Sequence, residues 1–147
     1  MIGPSCSGKS TWIEQNFDSG EDKGVAVVSA DHFFYNNEGE YKFDGRKLGE
    51  AHADCFRSFE TAVKMGYYHT IIVDNTNLQN WERAPYVMAA NAYGSNVNIR
   101  FVHMQTPLET IISRENGHNV PEKSKRAMIS RFERPLPFWG SYEVVES

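Results

Sequence analysis

The chain has 147 residues, 40% of them hydrophobic, a length and composition that suit one domain with a real core and argue against disorder. Two cysteines are too few for a disulfide framework, no apolar run approaches the roughly 18 to 20 residues of a membrane span, and no secretory leader is recognisable, so the expected setting is the cytoplasm. The formal net charge of −4 counts against a general nucleic-acid binder with evenly spread charge.

The first element is the run Gly3-Pro4-Ser5-Cys6-Ser7-Gly8-Lys9-Ser10-Thr11, which matches G-x-x-x-x-G-K-[ST] at every fixed position. Glycines at both ends let the backbone close round an anion, so that successive N–H groups and the start of the next helix point at phosphates. Gly3, Ser5, Cys6, Ser7, Gly8, Lys9, Ser10 and Thr11 are the candidate nucleotide-binding residues. In this pattern the lysine reaches the β/γ-phosphates and the Ser10 hydroxyl holds Mg²⁺. Cys6 reads as a small loop residue in preference to a redox switch. Only Met1 and Ile2 precede Gly3, whereas a strand has about five or six residues, so the strand feeding the loop is expected to be truncated.

Trp12, Ile13 and Phe17 fall on one face of the helix that follows the loop. Val25 to Ser29 is a short β-branched run typical of a buried parallel strand, and Asp31 sits at its carboxyl end, where ligands gather in open α/β sheets. An Asp there can also simply cap the next turn. Asn36-Asn37-Glu38-Gly39 is a turn signal inside an aromatic excursion that runs to Gly45. From Leu48 the apolar positions recur at three and four, predicting a helix of about five turns that Gly66 ends, with His52 on its apolar face.

Thr70 to Val73 is the second buried strand, and it delivers Asp74-Asn75-Thr76-Asn77 to the same edge as Asp31. A helix is expected over Trp81 to Tyr93, with Pro85 in its first turn or restarting it. Val97 to Met104 reads as another strand, and Thr106-Pro107-Leu108-Glu109 as a capping box that opens a helix. Asn116-Gly117 interrupts that helix. A last helix carries Met128, Ile129 and Phe132 inward with Lys125, Arg126 and Arg131 free to face elsewhere, and Phe138-Trp139 is expected to fold back on the domain. Nothing is assigned to the closing residues. Between residues 100 and 135 seven lysines and arginines stand against four glutamates, a local excess of +3 that leaves −7 elsewhere. Such a block suits a phosphate-facing surface or merely a solvated helix face.

Loop, helix, strand, acid, helix, strand, polar tetrad, helix, strand and basic helical pair follow one another as in a small P-loop kinase. The chain resembles the 5′-hydroxyl polynucleotide kinases, and in particular the kinase-like domain of the Nedd-four binding protein two family. The likeness is carried by Ser29-Ala30-Asp31-His32-Phe33-Phe34, Tyr41-Lys42-Phe43-Asp44, Leu48-Gly49-Glu50-Ala51-His52 and Asp74-Asn75-Thr76-Asn77-Leu78, and it spans residues 2 to 134. It implies a three-layer α/β P-loop kinase fold over residues 1–147, with a mostly parallel sheet of about four strands near 1–3, 25–29, 70–74 and 97–103 and a helical lid near 114–126. ATP and Mg²⁺ are the implied cofactors and a nucleic-acid 5′ end the implied acceptor.

By the same resemblance Lys9 and Ser10 bind nucleotide and metal, Asp31 is the general base, and Arg114, with Arg126 second, is the arginine that clamps the phosphates. Asp74, Asn75, Asn77 and Phe34 are candidate acceptor or secondary contacts. Phe34 stands where phage-type kinases place an arginine, which matches the branch named above. Phosphoryl transfer needs positioning, charge neutralisation and a carboxylate near the acceptor hydroxyl, and these residue types supply all three. No Cys/His metal spacing and no G-x-S-x-G element points to another chemistry. Two further readings stay open: a kinase for a small metabolite or nucleoside, since the loop reports only the donor, and a nucleotide-binding interaction module with little turnover.

Overall fold

The computed structural model describes residues 1–114 and 119–147. The β-branched runs read from the sequence form β1 (Val25–Val28) and β2 (Thr70–Val73), which pair in parallel with Val25 opposite Thr70 and Val28 opposite Val73. A second parallel ladder joins β3 (Arg100–Gln105) to β4 (Ser141–Glu146). Residues 1–3 stitch the two ladders together. The Met1 nitrogen donates to Val73 O at 3.0 Å, while on the other side Ile2 N–H donates to Val102 O at 2.7 Å and Ile2 O accepts from Met104 N–H at 2.8 Å. Ile2 is the one residue of that stretch in a bridge, parallel to His103, yet it is 1% exposed and so occupies the centre of the layer.

Alternation along the strands sends side chains to two helical layers. Val28, Ile71 and Val73 meet α2 (Leu48–Met65) and α3 (Asn80–Tyr93) in a core that contains Ala51, Cys55, Phe59, Ala89 and Ala90. Val25, Val27 and Ile72 face the other way, onto Ile13, Trp12 and Phe17 of the α1 region (Lys9–Asn16). The result is the three-layer α/β arrangement expected, with four named strands and the short 1–3 segment between them. Gly66 ends α2 in the left-handed region (φ 65°), which its missing side chain permits without strain.

Several local expectations change. β3 starts three residues later than read, and β4 was not foreseen: its pattern Ser-Tyr-Glu-Val-Val-Glu is half-exposed and carries acids, so it lacks the apolar run of a buried strand. Thr106 does not cap α4 (Leu108–Ser113); its hydroxyl donates to Ser7 O at 2.9 Å instead. The capping geometry lies at α3, where Gln79 N–H donates to the Glu82 carboxylate at 2.8 Å. α3 begins at Asn80 and runs straight through Pro85, which neither opens nor restarts it. His52 is exposed, off the apolar face of α2. Trp139 packs on Phe101 while Phe138 stays 82% exposed, so only half of that pair folds back. Among the described residues no helix is long and apolar enough to cross a membrane.

Candidate phosphoryl-transfer site

The loop between residue 3 and α1 turns through three positive-φ residues, Gly3 (152°), Cys6 (66°) and Gly8 (92°). A Cβ on Gly3 would lie 2.5 Å from Ser7 Oγ and 3.3 Å from Met104 O, so the loop can close this tightly only without a side chain there. Lys9 folds back across the loop, its Nζ donating to Gly3 O at 2.9 Å and Pro4 O at 2.8 Å. Burial holds the Lys9 ammonium below its usual range, opposed by the charges of Asp74 and then Asp31. Both carboxylates are therefore close enough to act on the lysine that the loop presents.

Ser10 lies in the first turn of α1, and its Oγ donates to Asp74 Oδ2 at 2.8 Å. Asp74 follows β2 directly, and its own N–H donates to Val28 O at 2.8 Å, which fixes the carboxylate at the sheet edge. A hydroxyl and a carboxylate oxygen side by side at the mouth of a phosphate loop are the hard donors that suit Mg²⁺, an ion that keeps most of its shell as water and phosphate oxygen. These residues fit the ion: Ser10 and Asp74 would hold it, and it would supply charge neutralisation to the phosphates when bound.

Asp31 lies in the turn after β1. Its N–H donates to Ser29 Oγ at 3.2 Å, and its Oδ1 accepts from the Tyr41 hydroxyl at 3.4 Å. Burial first, then the Asp31 charge and hydrogen bond, push the Tyr41 phenol up to about 12, so it remains a donor through the neutral range. Asn75 ties this turn to β2: its Oδ1 accepts from Ala30 N–H at 2.9 Å, and its Nδ2 donates to Cys55 Sγ at 3.4 Å. The Tyr86 hydroxyl donates to the same sulfur at 3.3 Å, and burial raises the Cys55 thiol above its usual value.

Arg114 caps the end of α4 and donates from Nη1 to Cys6 O at 3.0 Å, so it touches the phosphate loop directly. Beside it opens a cavity of about 570 Å³ whose walls include Gly8, Thr11, Trp12, Gln15, Arg114 and the end of β4 at Val145 to Ser147. Another cavity of about 610 Å³ runs along β1 and α2, and its lining includes none of the phosphate-loop residues 3–11.

The structure thus gathers Lys9, Ser10, Asp31, Asp74 and Arg114 round one loop. Other candidates stand differently. Asn77 is buried in the left-handed region (φ 47°) with its Nδ2 on Met1 O at 2.9 Å, and Asn75 is engaged as above, so both side chains serve the backbone frame. Phe34 is 5% exposed inside the core and offers no surface to an acceptor. Arg126 pairs with Glu122 on its own helix, α5 (Glu122–Ser130), at 2.8 Å. Lys125, expected to face outward, is 5% exposed and donates to Ile111 O at 3.0 Å and Arg114 O at 3.2 Å, which satisfies carbonyls at the end of α4. The Asn116-Gly117 hinge lies outside the described residues.

The sequence reading missed two connections. Asp74 was a candidate acceptor contact and not the partner of Ser10, although an acid ending a buried strand next to a phosphate loop is the usual second metal donor. Arg83 went unremarked. It is 2% exposed, with Nε donating to Asn77 O at 2.7 Å, Nη2 to Leu78 O at 2.6 Å and to Glu133 O, and Nη1 to Asn80 Oδ1. Nothing in local periodicity marks an arginine that works by gathering carbonyls from distant segments.

A parallel sheet carrying a phosphate loop, a Ser–Asp pair at its mouth and a second carboxylate at the same edge defines a kinase-like P-loop nucleotide-binding domain. The family model described as an AAA domain matches residues 1–135, and the chain belongs to that P-loop family. It is 33% identical over 135 residues to NEDD4-binding protein 2 of Homo sapiens, an alignment that covers 87% of this chain and 7% of that protein. Two solved structures share the fold. A sugar kinase from Janibacter sp. HTCC2649 matches with a TM-score of 0.61 and 22% identity, over 99% of this chain and 82% of that one. A gluconokinase from Sinorhizobium meliloti 1021 matches with a TM-score of 0.58 and 17% identity, over 99% and 79%.

Proposed function

We propose that this domain transfers the γ-phosphoryl group of ATP to an alcohol, and that the alcohol is the 5′-hydroxyl of a polynucleotide. The observation that carries the reading is the convergence of Lys9, the Ser10–Asp74 pair and Asp31 on one sheet edge. In the transfer the acceptor oxygen forms a bond to the γ-phosphorus, the bond to the β–γ bridging oxygen breaks, and ADP leaves with that oxygen. The acceptor proton passes to the Asp31 carboxylate. Lys9 neutralises charge on the migrating group, and Arg114, seated on Cys6 O, is within the loop's reach to do the same. The cavity walled by Thr11, Trp12, Gln15 and Arg114 adjoins the loop where the donor's base and sugar would emerge.

The polynucleotide acceptor draws support from the motifs around Asp31, Tyr41 and Asp74 and from the similarity to NEDD4-binding protein 2. A small-metabolite acceptor is the second reading, and one observation favours it. Much of the basic block is engaged within the fold, with Lys125 buried, Arg126 on Glu122, Arg100 on Glu143 at 2.5 Å and Arg134 over the Tyr142 ring. The deciding experiment offers labelled ATP and Mg²⁺ with 5′-hydroxyl DNA, 5′-hydroxyl RNA, a nucleoside 3′-monophosphate, plain nucleosides and gluconate as acceptors. The proposal expects label on the 5′-hydroxyl oligonucleotides. Label on gluconate or nucleosides alone moves the assignment to a metabolite kinase, and ATP binding without transfer to any acceptor makes the domain a nucleotide-binding module.

A further inference from the structure

The hairpin after Asp31 lies outside the phosphate loop and is closed by its own hydrogen bonds and ring contacts. Tyr35 and Tyr41 pair across it in an antiparallel bridge, their rings 5.2 Å apart between centroids. Asn36 closes the tip: its Oδ1 accepts from the Glu38 and Glu40 amides, both at 2.9 Å, and its own N–H donates to Glu40 O at 3.0 Å. Lys42 N–H fastens the returning strand to Phe34 O at 2.8 Å. Phe34, buried in the core, anchors the whole by ring contacts to Phe33, Tyr41 and Phe43. Beside the polar tip from Asn36 to Glu40, this scaffold leaves two rings in solvent, with Tyr35 46% and Phe43 56% exposed, and Tyr41, packed on Tyr35, sets its hydroxyl on Asp31. Two of the neighbouring cations are paired with acids, Lys42 with Glu40 at 3.5 Å and Arg46 with Asp44 at 3.1 Å. The surface therefore offers ring faces more than cationic handles.

We propose that this hairpin is the acceptor platform: Tyr35 and Phe43 take the flat face of the nucleobase next to the phosphoryl-accepting hydroxyl, and Tyr41 is a positioning residue that holds Asp31 toward that hydroxyl. The inference rests on the 5′-hydroxyl kinase reading above. Stacking on aromatic rings tolerates any base, because every base has a π face, and it needs no phosphate clamp. Rings held in place before the acceptor arrives also lose little freedom on binding. Such a platform selects for the presence of a base and against acceptors that lack one.

The experiment measures kcat/KM for two oligonucleotides of equal length with a 5′-hydroxyl, one bearing a base on the terminal residue and one abasic there. Wild type prefers the base-bearing acceptor by about fivefold or more, the low end of what one base–aromatic stack contributes. In Tyr35→Ala or Phe43→Ala that ratio falls to about one, through the acceptor KM; both rings are exposed, and an unchanged melting temperature confirms the fold. Tyr41→Phe keeps the ring and lowers kcat several-fold with the acceptor KM unchanged, a split that a merely structural role does not produce. A wild-type ratio near one, or a ratio that neither alanine variant moves, overturns the platform and leaves the kinase reading standing. A wild type that phosphorylates no 5′-hydroxyl acceptor overturns the kinase reading itself, and the platform with it.

Discussion

Ser10 and Asp74 meet through a single hydrogen bond of 2.8 Å, and on the function proposed above both would hold one ion. Two donors to the same Mg²⁺ act as a unit, so their losses do not add. Ser10→Ala and Asp74→Asn are each expected to raise the Mg²⁺ concentration for half-maximal turnover, and the double variant to be little worse than the poorer single one. A titration of rate against Mg²⁺ checks this, and strictly additive losses would separate the two roles. Arg83 poses a different question, since it lies away from the loop and is buried with donors on Asn77, Leu78, Asn80 and Glu133. Arg83→Met takes the arginine donor from Asn77 O and Glu133 O, while Leu78 O keeps the Glu133 N–H, and is expected to cost about 3 kcal/mol in urea unfolding. A variant as stable as wild type would show that those carbonyls find other donors.

At the scale of elements, the backbone ladder between β3 and β4 is supplemented by a side-chain contact at His103. Its Nδ1 lies 2.8 Å from the Tyr142 hydroxyl, and its ring stacks on Phe132 at 4.2 Å. Burial, helped by the nearby Arg83 charge, holds the imidazole below its usual value of 6.5, so the folded protein keeps it neutral where the unfolded chain would protonate. The unfolded state then binds more protons as pH falls through 6.5, and stability drops with it until the folded imidazole itself titrates. Denaturation midpoints measured at a series of pH values are expected to fall below pH 6.5 in wild type, and this part of the slope to vanish in His103→Gln. An unchanged slope would assign the acid sensitivity to other groups. Asn75 works at the same scale, because its hydrogen bond to Ala30 N–H couples the end of β2 to the turn that carries Asp31.

For the whole molecule, how far the sequence could be read follows from how local each cause is. The phosphate loop, β1, β2 and α2 were legible because their signals are contiguous: a fixed glycine spacing, β-branched runs and an apolar face at three and four. Ile2 was legible only as a truncated strand, although the hydrogen bonds of residues 1–3 to both neighbours make that stretch the seam of the sheet. β4 was not legible, since an edge strand with Glu143 and Glu146 resembles a solvated tail until β3 is there to pair with it. Lys125 was misjudged because charge was read as freedom to face solvent, whereas it donates to carbonyls at the end of α4, and Arg83 went unremarked because its partner Glu133 O comes from a distant segment. At the site, the motif spacing pointed to Lys9, the place after β1 to Asp31 and the family resemblance to Arg114, but only the fold could pair Ser10 with Asp74.

On the proposed function, Asp31 takes the acceptor proton while Lys9 and the Ser10–Asp74 pair hold the nucleotide. The most direct test of this measures, for Asp31→Asn and wild type side by side, the rate of label transfer from ATP to a 5′-hydroxyl oligonucleotide and the affinity for Mg²⁺·ATP by calorimetry. The expected result is a rate loss of about 10²-fold or more, a usual general-base contribution, with nucleotide affinity nearly unchanged. Equal losses in rate and affinity, or a variant that transfers as fast as wild type, would contradict it.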